Sequence, residues 1–190
     1  MLKSRALLRG EITYEDAKES DTNILHELGY RDQKIRFFTY LYRNHELIRS
    51  IITSHLGVTS REKCHLVDVE DWIHGNFNVC IQADILGSRG VEKQVMIRFP
   101  LPYRIGEDPC PRNADEKVRC KAGTYTWLKE NCPTMPIPRF YGYGLSNGKT
   151  VSLLFIIFLH FACNLYICRQ FVSSFTNSTI FLFLLAIFNV

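Results

Sequence analysis

The spacing of hydrophobic residues changes several times along the chain. Over residues 44–57 apolar residues recur at intervals of three and four, which predicts an amphipathic helix. Asn44 is a candidate cap at its start, and Gly57 suits the left-handed conformation that ends many helices. The predicted buried face consists of Leu47, Ile48, Ile51, Ile52 and Leu56.

Between residues 64 and 99 the period shortens to two, which is typical of β-strands. Turn-forming residues interrupt this region at 74–76 and 87–90, and the second group, GSRG, is expected to close a hairpin. One face of the predicted sheet carries Val79, Ile81, Ala83, Val95 and Ile97, and the other carries Cys80, Gln82, Asp84, Met96 and Arg98. We therefore expect an antiparallel set of strands.

A loop rich in Pro and Gly follows, and then a second helix over residues 114–131. Its predicted packing face consists of Val118, Ala122, Tyr125 and Leu128. A proline-rich segment and a short extended piece come next. The order of helix, strands, helix and strand predicts an α+β fold.

Composition divides the chain near residue 150. Residues 151–190 contain a single formally charged side chain, Arg169, whereas the first part carries nearly all the charge. The net charge of +4 is mild, and basic residues are interspersed with acidic ones, which argues against a nucleic-acid binder. Seven cysteines without CxxC pairs argue against a zinc module and a secreted disulfide framework. With no signal peptide evident, we expect the body to be cytoplasmic, and we assign no metal site.

Four segments carry a resemblance to a known family: WIHGNFNVCIQADI, VMIRFPLPYRIGE, NADEKVRCKAGTYTWLKENCP and PIPRFYGYGLSNGKT. They are similar to the fungal branch of the aminoglycoside phosphotransferase family, which has a choline-kinase-like and protein-kinase-like fold. The resemblance runs from about residue 35 to Thr150. It implies an N-terminal extension over 1–34 and a partial ATP-binding N-terminal lobe over 35–150. The apolar composition of residues 151–190 predicts a separate, helical tail.

The resemblance implies roles for five residues. Gly75, Asn76, Phe77 and Asn78 are similar to the turn that lies over the ATP phosphates, where backbone N–H groups donate to phosphate oxygens. An ordinary hairpin turn is the alternative. Arg98 occupies the strand position at which kinases place a phosphate-contacting lysine. Its alternative role is that of an edge-strand arginine that extends to solvent.

The helix after Arg98 departs from the family pattern. Lys121 stands where the resemblance leads us to expect a glutamate that pairs with the basic strand residue. We expect Lys121 and Arg98 to repel each other by about 1–4 kcal/mol. Glu116 lies about 140° away around the helix and is a poor substitute. Trp72 and Trp127 could stack on an adenine ring, but we interpret both as packing residues.

Catalytic groups of the family are not found in this sequence. It has no H-x-D string, and no Asp or Glu follows Glu130, so no catalytic or magnesium-binding residue is assigned. We expect a truncated relative with weak or lost ATP binding. Intact relatives are expected to transfer the γ-phosphate of ATP, with Mg²⁺, to a small-molecule hydroxyl that the sequence does not identify.

The tail allows two interpretations. Val151 and Ser152 can be encoded by GTA AGT, a preferred intron start, and the codons for the tail's Phe, Leu, Ile and Asn are AT-rich, as expected of translated intron. Alternatively, residues 151–168 would be about 27 Å long as a helix, close to the thickness of a bilayer core. The chain would then be a membrane-anchored, non-catalytic binding protein, although His160 and Asn164 disfavour such a span.

Overall fold

A computed structural model describes residues 3–58, 63–87, 90–152 and 186–189. The chain forms two compact units, Met1–Asn44 and His45–Val190. Its secondary structure combines antiparallel sheets with several helices, which confirms the α+β class.

The first unit begins with a small hairpin of β1 (Ser4–Ala6) and β2 (Glu11–Thr13). Helix α1 (Tyr14–Glu19) follows directly, and Thr13 caps it in a reciprocal exchange of hydrogen bonds with the third residue of the helix. Helix α2 (Ile24–Arg43) is long and mostly polar. It passes through residue 34, so the predicted boundary between extension and lobe falls inside a helix.

The structure corrects the role predicted for Asn44. Its side-chain Nδ2 donates to the Tyr40 carbonyl at 2.8 Å, and its backbone N–H also points back to carbonyls of the last turn of α2. Asn44 therefore ends α2 instead of capping the next helix. Asparagine serves either function because its amide can both donate and accept.

In the second unit, α3 (His45–Leu56) is the predicted amphipathic helix. Ile48 and Ile52 are buried, and Gly57 has a φ of +68°, the left-handed conformation expected at its end. The Arg49 Nε donates at 2.7 Å to the carbonyl of Cys64, which joins the helix to the sheet.

The strands of the main sheet are β3 (Cys64–Leu66), β4 (Ile73–His74), β5 (Asn78–Gly87), β6 (Gly90–Pro100) and β9 (Ala186–Asn189). The sheet is antiparallel, with the order β3–β5–β6–β9, and β4 also pairs with β5. The predicted apolar face of β5 and β6 is fully buried, and the opposite face is partly exposed. Gly87 pairs with Gly90, as predicted for the hairpin.

Two helices follow β6, namely α4 (Pro102–Ile105) and α5 (Asn113–Asn131). Val118 and Ala122 of α5 are buried as predicted. Trp72 is buried, and its Nε1 donates to the Val67 carbonyl at 3.2 Å, so its packing role is confirmed. The packing role predicted for Trp127 is wrong, because its side chain is 57% exposed. Trp127 follows Val118 by nine positions, and at about 100° per residue this places it on the opposite side of α5.

A second small hairpin consists of β7 (Gly142–Gly144) and β8 (Thr150–Ser152). The predicted boundary after Thr150 therefore falls inside a strand. The Asp115 carboxylate, near the start of α5, accepts hydrogen bonds from the Ser146 N–H at 2.8 Å and Oγ at 2.7 Å. These two bonds fix the turn of the hairpin against α5.

The helix predicted for the tail is wrong for Ala186–Asn189, which pair antiparallel with Val95–Arg98 of β6. A sheet edge offers unpaired backbone groups, and Ile and Phe favour strands, so pairing there competes with helix formation. The rest of the predicted tail helix, residues 153–185 and 190, lies outside the described residues. Within the described ranges, no helix has the length and apolar character needed to cross a membrane.

Candidate anion-binding site

The loop predicted from the resemblance joins β4 to β5. Gly75, Asn76 and Phe77 are exposed, and the Gly75 N–H donates to the Asn78 carbonyl at 3.0 Å, which closes the turn. We call Gly75–Asn78 the β4–β5 loop. A Cβ atom added to Gly75 would meet no atom within 4 Å, so the space beside this backbone is open.

The amide groups at the tip of the loop are available to a ligand. In the described part of the chain, the N–H groups of Asn76 and Phe77 make no hydrogen bond. Consecutive backbone N–H groups at a turn form a favourable site for an anion. The loop can therefore donate to an anionic oxygen without breaking an existing bond.

Basic side chains hold the carbonyl side of the same loop. The Lys117 Nζ of α5 donates to the Phe77 carbonyl at 3.2 Å and lies 4.9 Å from the centre of its ring. The Arg104 Nε of α4 donates to the Asn76 carbonyl at 3.1 Å. The Leu101 N–H also donates to the Phe77 carbonyl, at 2.9 Å. The loop is thus anchored by two cations.

Arg98 and Lys121 extend this group of charges. Arg98 lies on β6 directly opposite Cys80 of β5, on the partly exposed face of the sheet. Burial, and then the charges of Lys121 and Arg98, lower the pKa of Lys117 to about 8. Burial and the charge of Arg98 also lower the pKa of Lys121, with a smaller opposing effect from Cys80. We call Arg98, Arg104, Lys117 and Lys121 the cation cluster.

Burial, and after it the charge of Arg98, lower the pKa of Lys121, so the two side chains lie close enough to influence each other. The size of their repulsion remains a prediction. Glu116 does not take the place of the missing glutamate, since it is not among the groups that shift the pKa of Lys117 or Lys121; its carboxylate accepts a weak bond from the Cys120 thiol at 3.6 Å. Among the described residues, no carboxylate contributes to the pKa shifts of Lys117 and Lys121. The positive charge of these two lysines can attract an anion.

Sequence reasoning found the loop, Arg98 and Lys121 but missed Lys117 and Arg104. The spacing of Lys117 and Lys121 was an available signal, because residues four apart on a helix share a face. Arg104 could not be found in this way, since α4 is a single turn whose position depends on tertiary packing.

A separate cavity of about 550 Å³ lies between the end of α5 and the segment that follows it. Aromatic and apolar residues line most of it, together with Thr126, Lys129 and Arg139. The stacked pair Tyr125 and Phe140, with ring centres 5.5 Å apart, forms part of its wall. No residue of the β4–β5 loop or the cation cluster lines this cavity. The cavity is therefore separate from the loop and the cluster.

Within the described residues, no group of three His, Cys, Asp or Glu side chains is arranged to hold a metal ion. No protein-family model, curated protein or solved structure matches the chain.

Proposed function

We propose that the chain binds the phosphate groups of a nucleotide, ATP in the first instance, at the β4–β5 loop and the cation cluster. The observation that carries this proposal is the contact between Lys117 and the Phe77 carbonyl, which brings a basic side chain to a loop with two available N–H groups. Phosphate oxygens accept strong hydrogen bonds from such donors.

The resemblance to phosphotransferases supports the same ligand, because the residues it assigned to phosphate binding, Gly75–Asn78 and Arg98, belong to the loop and the cluster. In intact relatives the bound ATP would donate its γ-phosphate to a small-molecule hydroxyl with the help of Mg²⁺. We assign binding to the described residues and name no catalytic residue, since no described carboxylate acts on the pKa of Lys117 or Lys121.

Calorimetric titration of ATP into the full chain tests this function. We expect a dissociation constant weaker than about 10 μM, which corresponds to about −7 kcal/mol, because repulsion within the cluster opposes an ideal geometry. Arg98→Met should weaken binding at least tenfold, whereas Arg119→Met, on an exposed position of α5, should leave it unchanged.

Absence of measurable binding at about 1 mM ATP would refute the proposed function. Equal affinities of Arg98→Met and the wild type would also refute it. Thermal unfolding of each variant serves as the control for folding.

A further inference from the structure

We infer that the site binds polyphosphate in its metal-free form, with Lys117 and Lys121 supplying the positive charge that a divalent cation supplies in kinases. This inference rests on the proposed function and concerns the chemical form of its ligand. It differs from the magnesium-dependent binding that the resemblance implies.

The charge balance of the site supports the metal-free form. A triphosphate without metal carries about four negative charges at neutral pH, whereas its magnesium complex carries about two. Lys117 contacts the loop directly, Lys121 lies one turn later on the same helix, and no described carboxylate contributes to the pKa shift of either lysine. An incoming magnesium ion would be repelled by these cations, and the bare phosphates would be attracted.

Lys121 stands where the resemblance to kinases leads us to expect a glutamate. A glutamate there would pair with Arg98 and lower the positive charge available to phosphate. The lysine instead adds its charge to that of Arg98, and the pKa of Lys121 is lowered by burial first and by Arg98 second. Lys117 lies one helical turn earlier and reaches the loop directly.

Proton uptake should accompany binding. The charges of Arg98 on β6 and Lys121 on α5 lower the pKa of Lys117, whose ammonium group contacts the Phe77 carbonyl and ring. Arg104 of α4 binds the same loop. Cys80 of β5 affects the pKa of Lys121. With the pKa of Lys117 at about 8, the Lys117 amine is neutral in close to half of the molecules at pH 8. A bound anion favours the protonated amine, so affinity should fall as the pH rises above 8.

The experiment is calorimetric titration of the full chain with ATP, once with a chelator and once with excess magnesium chloride. We expect magnesium to weaken binding at least tenfold. Inorganic tripolyphosphate, titrated in parallel, should show the same preference, because the preference originates in the phosphates. At pH 8 the heat should differ between Tris and HEPES buffers, as expected for uptake of about half a proton.

Lys121→Glu should abolish or reverse the preference for metal-free ATP, and Lys121→Gln should reduce it if the first variant fails to fold. Arg119→Glu, an exposed charge reversal on the same helix, should retain the wild-type preference. Tighter binding with magnesium, or a preference that both Lys121 variants retain, would overturn this inference while leaving nucleotide binding intact. Absence of binding in both conditions would overturn the proposed function as well. Equal heats in the two buffers would overturn the proton uptake.

Discussion

The Lys117 ammonium group donates a 3.2 Å hydrogen bond to the Phe77 carbonyl and lies 4.9 Å from the centre of the same residue's ring. This double contact joins helix α5 to the β4–β5 loop across forty positions of the chain. It connects the cation cluster to the backbone N–H groups that we propose as phosphate donors.

Lys117→Met removes the charge and the donor but keeps the length of the side chain. We expect ATP affinity to fall about tenfold, because a charge-assisted hydrogen bond contributes about 1.5–3 kcal/mol. Lys129→Met, on an exposed position of the same helix, should bind as the wild type does. Unchanged affinity of Lys117→Met, measured by calorimetry, would contradict a role for this contact.

Asp115→Ala should destabilise the second unit. The carboxylate is only 3% exposed and accepts two hydrogen bonds from Ser146 at 2.7 and 2.8 Å. Loss of its bonds should lower the free energy of unfolding by about 2–3 kcal/mol in urea titrations. Asp108→Ala, at an exposed position, should change it by less than about 0.5 kcal/mol. Similar effects of the two substitutions on the free energy of unfolding would contradict a stabilising role of the Asp115–Ser146 hydrogen bonds.

Gly142→Ala should also destabilise the protein, for a steric reason. A Cβ atom there would lie 2.4 Å from the Val151 carbonyl oxygen and 2.6 Å from the His55 Nδ1, closer than real atoms approach. We expect a loss of about 1–3 kcal/mol, as in other overpacked interiors. In Gly123→Ala the new methyl group meets nothing within 4 Å, and the helix should gain up to about 1 kcal/mol. Comparison of melting temperatures distinguishes the two outcomes.

Acid should weaken the fold through His55. Burial lowers the pKa of this imidazole from 6.5 to about 4. Between these pH values the unfolded chain binds a proton that the folded chain does not, so the free energy of unfolding should decrease as pH falls from about 6.5 to 4, by at most about 3 kcal/mol.

Urea titrations across this pH range test the role of His55. The His55→Leu variant should lose most of this slope, whereas His65→Leu, at an exposed position, should retain it. If the free energy of unfolding of His55→Leu depends on pH as strongly as that of the wild type, other groups cause the pH dependence.

Local patterns predicted much of the second unit. Strict alternation identified the buried face of β5 and β6, since a period of two allows only one face to enter the core. Intervals of three and four identified α3, and Gly57 marked its end. The sequence also indicated that Lys121 would lie near Arg98, because the resemblance supplied the register between helix and strand.

Features that depend on tertiary contacts were not predictable in this way. The polar sequence of α2 lacks a wide apolar stripe, so no periodic pattern indicates its length, and only Phe37 and Leu41 of this helix are buried. Asn44 was assigned to the wrong helix because its amide suits either end. The pairing of Ala186–Asn189 with β6 joins residues that are distant in sequence, which no local pattern can reveal.

The most direct test of the central claim is the response of individual backbone amides to ATP, measured by ¹H–¹⁵N correlation spectra of the full chain. We predict the largest shifts at Asn76 and Phe77, with smaller ones at Lys117 and Lys121, and little change at the amides of the cavity-lining residues Tyr125 and Phe140. Shifts concentrated at that cavity, or no shifts at the loop at saturating ATP, would contradict the assignment of the loop as the phosphate site.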